Sequence, residues 1–210
     1  MRLEKLREHF PEIEKKTYVR LEIFANELVK FNKAINLVSP STIGKMDMIH
    51  FADSILGSSI VRSEIKETTP LYDLGSGNGF PGLVFGILYP NIEIRLVERD
   101  LRKCEFMKHI ADLCNLDNLK TMNQEIKSLP NASVEQAMAR GLAPIPRALL
   151  HFRSIFNHGG RFYHFKSDSW SKEVADIPTQ VFSVWHCELV STYELPEIGI
   201  QQAIVLSEKL

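Results

Sequence analysis

The sequence predicts an α/β fold: a mostly parallel seven-stranded sheet, preceded by a helical extension and closed by an antiparallel C-terminal hairpin. Three observations predict it. Strand-like and helix-like segments alternate from residue 71 onward, which implies a parallel sheet with crossover helices. The first strand runs into Gly75-Ser76-Gly77-Asn78-Gly79-Phe80-Pro81-Gly82, four glycines within eight residues, before helix-forming sequence resumes. The last two strand-like runs have no helix between them, as in a hairpin.

Ahead of the sheet, apolar Leu21, Phe24, Leu28 and Phe31 recur at spacings of three and four, which reads as amphipathic helix from 3 to about 31, with Pro11 interrupting an earlier piece. Residues 32–40 read as loop. Ser41 or Thr42 can cap a short helix, and 48–61 continues as helix with Ile49, Ala52, Ile55, Leu56 and Ile60 on its apolar side. The polar stretch 62–69 is a connector, separating a helical extension of 1–62 from a core of 63–210. In that core, 71–74 and 92–98 are strands and 82–88 is a short helix stopped near Pro90. Asp100 is the N-cap of a helix ending about Cys114. Strands follow at 119–122, 134–139 and 160–166, with a helix at 144–156 before a Gly159-Gly160 break, then strand-like runs at 181–189 and 203–206.

Composition narrows the functional classes. With 44% apolar and 24% charged residues in 210, this is an ordinary globular chain. No run of eighteen apolar residues exists and the start, Met1-Arg2-Leu3-Glu4-Lys5, is charged, so neither a membrane span nor a secretory leader is expected; the cytoplasm is the default. Cys104, Cys114 and Cys187 lack CxxC spacing and read as buried thiols. The histidines show no ligand spacing, so no metal is expected. A net charge of −1 gives no global nucleic-acid signature, so any RNA contact must be a local patch. Two basic stretches qualify: Arg95, Arg99, Arg102, Lys103 and Lys108, and Arg2, Lys5, Arg7, Lys15, Lys16 and Arg20. Nothing demands more than a monomer.

The glycine loop is a cofactor site. Glycine admits positive φ and lets a ligand lie on bare backbone, while the N–H groups opening the next helix attract polar ligand groups. The dinucleotide fingerprint GxGxxG requires a third glycine where this chain has Phe80, which weakens a pyrophosphate reading. Instead Asp73 precedes the loop and Glu98 ends the second strand. A carboxylate there suits two bonds from the ribose hydroxyls of an adenosine cofactor, which NAD and S-adenosylmethionine both carry. An acid directly before the glycines repels pyrophosphate but can hold an ammonium or sulfonium, which favours S-adenosylmethionine. The candidate cofactor residues are therefore Asp73, Gly75, Gly77 and Glu98.

Several separate motifs resemble one family in the right order: Phe31-Asn32-Lys33-Ala34-Ile35-Asn36-Leu37-Val38-Ser39, His50-Phe51-Ala52-Asp53-Ser54, the glycine loop to Gly82, Arg102-Lys103 with Phe106, Ala139-Arg140-Gly141-Leu142-Ala143, and Phe162-Tyr163-His164-Phe165-Lys166. The chain resembles the bacterial 16S ribosomal RNA guanine-N7 methyltransferases, also called glucose-inhibited division protein B. That resemblance implies a class I, Rossmann-like methyltransferase fold, S-adenosylmethionine as donor, and a guanine N7 in the decoding-region loop of 16S ribosomal RNA or the small-subunit particle as acceptor. It further implies cofactor contacts at Gly75, Phe80, Ile126, Lys127 and Arg140. The chain departs from the family at Asn123-Gln124-Glu125-Ile126-Lys127, where an acid commonly stands beside a small or apolar residue. Milder departures are Gly141, more often alanine, and Glu98, often aspartate.

Guanine N7 carries an in-plane lone pair and no proton, so its methylation needs alignment rather than a general base. An Arg or Lys donating to the neighbouring O6 would recognise the base and hold it for the transfer. Arg140 and Lys166, each ending a strand beside the loop, are the catalytic candidates, with Asn36 able to grip the base or cofactor from the extension. His50 and Asp53 read as a buried pair, or as a cover for the pocket. Competing readings are a small-molecule or protein methyltransferase, and a cofactor-binding module without catalysis.

Overall fold

Strand β1 (Leu71–Leu74) lies inside a sheet that also holds β2 (Ile94–Glu98), β3 (Leu119–Asn123), β4 (Val134–Arg140), β5 (Phe156–Ser167), β6 (Trp185–Glu194) and β7 (Gln201–Lys209). The computed structural model describes residues 3–210, so Arg2 of the N-terminal basic stretch lies outside the described residues. The strand order is β3-β2-β1-β4-β5-β7-β6, with β7 antiparallel to both its neighbours, β5 and β6, and the other pairs parallel. The order reverses between β1 and β4, and in such a sheet ligands collect at the carboxyl ends of those strands.

Alternation along the strands builds a core on each face. Leu71, Ile94, Leu96, Met138, Tyr163, Phe165, Ile204 and Leu206 face the helices of the first half of the chain. These are α1 (Glu4–His9), α2 (Lys15–Ile35), α3 (Asp53–Glu64), α4 (Gly82–Leu88) and α5 (Leu101–Cys114). Tyr72, Leu74, Val97, Ala137, Ala139, Phe162 and Val205 face the other way, against α6 (Ile145–Phe152) and the short helices α7 (Trp170–Ala175) and α8 (Thr179–Phe182). Of the thiols, Cys104 and Cys114 are buried and Cys187 is half-buried, all of them free.

The structure corrects several boundaries. Helix α2 continues through residues expected as loop, because Asn36 ends it in the left-handed region (φ 46°) that asparagine tolerates. Asp47–Ala52 is a π-helical turn rather than α-helix. Helix α3 runs to Glu64, three residues past the helix end expected at 61. Residues 181–184, expected as strand, belong to α8 and the turn after it, and α7 was not foreseen.

The Gly159-Gly160 break is instead a bulge inside β5. Val134 pairs with Phe156 while Gln136 pairs with Arg161, so β5 carries three extra residues there, and Gly159 takes φ 75° to make the turn. The shift brings Phe165, rather than Phe162, opposite Arg140.

Candidate active site

A cleft of about 830 Å³ opens at the carboxyl ends of β1, β2 and β4. The glycine loop, Glu98, Ile126, Lys127, Arg140 and 141–144 line it, together with Leu37 from the extension and Arg147, His151 and Phe152 from α6. Gly75, Gly77 and Gly79 hold φ of 74°, 56° and 93°, conformations that a side chain would strain. Leu142 covers Gly75 so closely that a Cβ there would sit 2.7 Å from its Cδ1. Asn78 was not foreseen as important: its amide donates to the Leu37 carbonyl (3.0 Å), tying the loop to the end of α2.

Glu98 accepts from the Gly77 N–H through Oε2 (2.9 Å) and from the Asp100 N–H through Oε1 (2.8 Å). Each oxygen keeps a second lone pair, so the carboxylate can still take two hydroxyl donors. Val97, Ile126, Leu142 and Phe152 add apolar surface beside it. This donor set, bare backbone and apolar wall fit an adenosine cofactor.

Arg140 is the most constrained polar group on the wall. By β4 alternation it shares the face of Met138, toward the extension. Its Nη1 donates to Asp53 Oδ2 (2.8 Å) and to the Ile49 carbonyl (3.5 Å), and Nη2 donates to His50 Nδ1 (3.1 Å). The guanidinium lies 5.2 Å from the Phe80 ring centre, on which His50 also stacks at 5.3 Å. Because His50 Nδ1 accepts, the proton resides on Nε2, which meets Thr42 Oγ1 at 3.1 Å. Burial first, and then the Arg140 charge, push the His50 pKa down to about 3, so this neutral tautomer persists at ordinary pH. His50 and Asp53 thus do not bond each other; both bond Arg140.

Other expected residues lie off the cleft wall. Lys166 follows Phe165, which pairs with Arg140 and shares its face, so Lys166 projects to the opposite side of the sheet. There its ammonium donates to the Ala143 carbonyl (2.8 Å) and pairs with Glu173 Oε2 (2.8 Å), which also accepts from the Ile145 N–H (2.7 Å). Lys166 and Glu173 therefore pin the 141–144 segment and cap α6. Asn36 is exposed and serves as the helix cap described above. Asp73 is buried behind the loop, accepting from the Gly82 N–H (3.1 Å).

Burial pushes the Asp73 carboxyl up to about 7, against the pull of the Gly82 N–H and the Arg140 charge. Between its ordinary value near 3.8 and pH 7 the folded chain holds a proton that the unfolded chain has released. Stability therefore falls as pH rises through that window. Asp73→Asn removes the slope, and its melting temperature should gain roughly 5 °C on wild type between pH 5 and pH 8. A constant difference across a calorimetric pH series would refute the assignment.

Around the mouth, Arg99, Lys103, Lys127 and Arg147 line the cleft without an ion pair among the described residues. The rest of the expected basic stretches is partly committed elsewhere. Arg95 is bound to Glu93 and Tyr72, Arg102 to Asp100, Lys5 to Glu197 and Arg20 to the Asn115 carbonyl.

A family model described as rRNA small subunit methyltransferase G (GidB) matches residues 17–195. The Ribosomal RNA small subunit methyltransferase G 3 of Bdellovibrio bacteriovorus is 43% identical over 203 residues, covering 97% of this chain and 92% of that protein. The Ribosomal RNA small subunit methyltransferase G of Paracoccus denitrificans is 32% identical, covering 81% and 84%. Among solved structures, a SAM-dependent methyltransferase from Aquifex aeolicus superposes with TM-score 0.55 at 11% identity, covering 88% of this chain and 97% of that one. That last likeness is one of fold alone. The chain belongs to the rRNA small subunit methyltransferase G family.

Proposed function

We infer that this protein transfers a methyl group from S-adenosylmethionine to N7 of a guanine in 16S ribosomal RNA. One observation carries the reading: a single cleft joins a ribose-ready carboxylate, Glu98, to a rim of cations that make no ion pair among the described residues. When bound, the cofactor would supply an electrophilic methyl carbon on a sulfonium, which a lone pair can attack without prior deprotonation while the sulfur leaves as a neutral thioether. Asp73, Gly75, Gly77 and Phe80 shape the loop that receives it, Glu98 holds the ribose, and Ile126 with Lys127 borders the adenine. Arg140 meets the acceptor base. Lys166 acts through the 141–144 segment that it pins, rather than on the guanine. Arg99, Lys103 and Arg147 meet RNA phosphates, and the extension of 1–62 closes the far side of the cleft through Leu37. No helix among the described residues is long and apolar enough to cross a membrane, in keeping with work in the cytoplasm, where the small subunit is built.

Given labelled S-adenosylmethionine, the protein should label small-subunit rRNA, with aniline cleavage after reduction mapping the label to one N7-methylguanine. Label entering a small metabolite or a protein instead would refute the reading. Lys103→Glu with Arg147→Glu should weaken RNA affinity at least tenfold and flatten its salt dependence by about one or two in log–log slope. Cofactor affinity should stay within about twofold, since neither residue is placed against the adenosine.

A further inference from the structure

Asp53 is a buried carboxylate, and both its oxygens are bound: Oδ2 by Arg140 and Oδ1 by the Tyr193 hydroxyl, each at 2.8 Å. Tyr193 comes from β6, at the far edge of the sheet. It reaches Asp53 across α3 at Gly57, where an added Cβ would lie 2.9 Å from the Tyr193 oxygen and 2.2 Å from Phe165. The absent side chain at Gly57 is thus what admits the hydroxyl. Burial holds that phenol protonated, so it remains a donor.

The donor count of Arg140 shows what this arrangement leaves over. Asp53 and Ile49 occupy Nη1, and His50 takes one hydrogen of Nη2. The Nε–H and the second Nη2–H, two parallel donors on one edge of the fork, have no partner among the described residues. We propose that Tyr193, Asp53 and His50 are positioning residues that lock the guanidinium so that this free edge faces the acceptor guanine and donates to its O6. The proposal rests on the functional reading above. It makes the C-terminal hairpin part of the catalytic apparatus, although β6 contributes nothing to the cleft wall.

Wild type, Tyr193→Phe, Arg140→Lys and the double variant are compared on small-subunit particles carrying unmethylated rRNA, with melting and cofactor titration for each. Tyr193→Phe should lower kcat about tenfold, with cofactor Kd and particle KM within about twofold and the melting temperature within about 3 °C. In the Arg140→Lys background the same change should cost less than about twofold, because the edge that Tyr193 aims is already gone. Equal loss in both backgrounds overturns the proposal. So does an unchanged kcat, or a loss that falls on cofactor affinity. If Tyr193→Phe does not fold, His50→Phe, which keeps the stack on Phe80 without the acceptor, carries the same cycle. A readout independent of activity is nitrogen NMR of the arginine side chains. Arg140 should show separate, slowly rotating Nη signals in wild type that merge in Tyr193→Phe; merged signals in wild type would refute the lock. Wild type that labels no rRNA would refute the functional reading while leaving this NMR arm decisive for the lock.

Discussion

Arg140→Lys should lower single-turnover methyl transfer by about a hundredfold or more, the scale of misplacing an aligned acceptor by about 1 Å. Lysine keeps the positive charge beside Asp53, so the buried carboxylate is not stranded. Its single ammonium cannot bond Asp53, the Ile49 carbonyl and His50 while also offering two parallel donors to a base edge. Arg140→Ala is the less informative change. It leaves an unpaired buried charge at a cost of about 3–5 kcal/mol, so lost activity could follow from lost folding. Rapid-quench measurement with saturating cofactor separates the two. A lysine variant within threefold of wild type would refute the placement of Arg140 against the acceptor.

Glu98→Ala should weaken cofactor binding about 10- to 100-fold by titration calorimetry, since hydrogen bonds to a charged group contribute about 1.5–3 kcal/mol. Two effects add here. The ribose hydroxyls lose their acceptor, and the Gly77 and Asp100 N–H groups that the carboxylate now gathers lose theirs, loosening the loop. Glu98→Gln retains one carbonyl oxygen and should fall between the two. Unchanged affinity in Glu98→Ala would mean that the adenosine lies elsewhere in the cleft.

Local signals carried much of the fold. The glycine loop, the Asp100 cap, the strand at 71–74 and the helix at 82–88 were legible because each depends on nearest-neighbour chemistry: positive φ, an orphan N–H, alternation. The extent of α2 was not, because its last turn is set by Asn36 adopting the left-handed region, where asparagine is allowed but not required. The π-helical turn and α7 leave no periodic trace of their own. Within the site, Glu98 was legible from its place after the second strand, whereas Asn78, Glu173 and Arg147 were not, since each takes its meaning from a partner distant in the chain.

Arg140 and Lys166 show where the limit lies. Both residues end strands beside the loop, and from the chain alone both belong to the active edge. Composition, strand alternation and the Asp73 to Gly82 loop were enough for an adenosine-binding α/β fold, because glycine conformations and carboxylate lone pairs act over a few ångströms of contiguous chain. Which side each terminal cation faces depends on the register between β4 and β5, which sets Phe165 opposite Arg140 and leaves Lys166 on the other face. Asp53 and His50 lie 87 and 90 residues from Arg140 in the chain, and Tyr193 lies 140 residues from Asp53. No local propensity encodes such pairings; they form because packing the helical extension and β6 on one face of the sheet brings a buried guanidinium to a carboxylate and an imidazole that satisfy it.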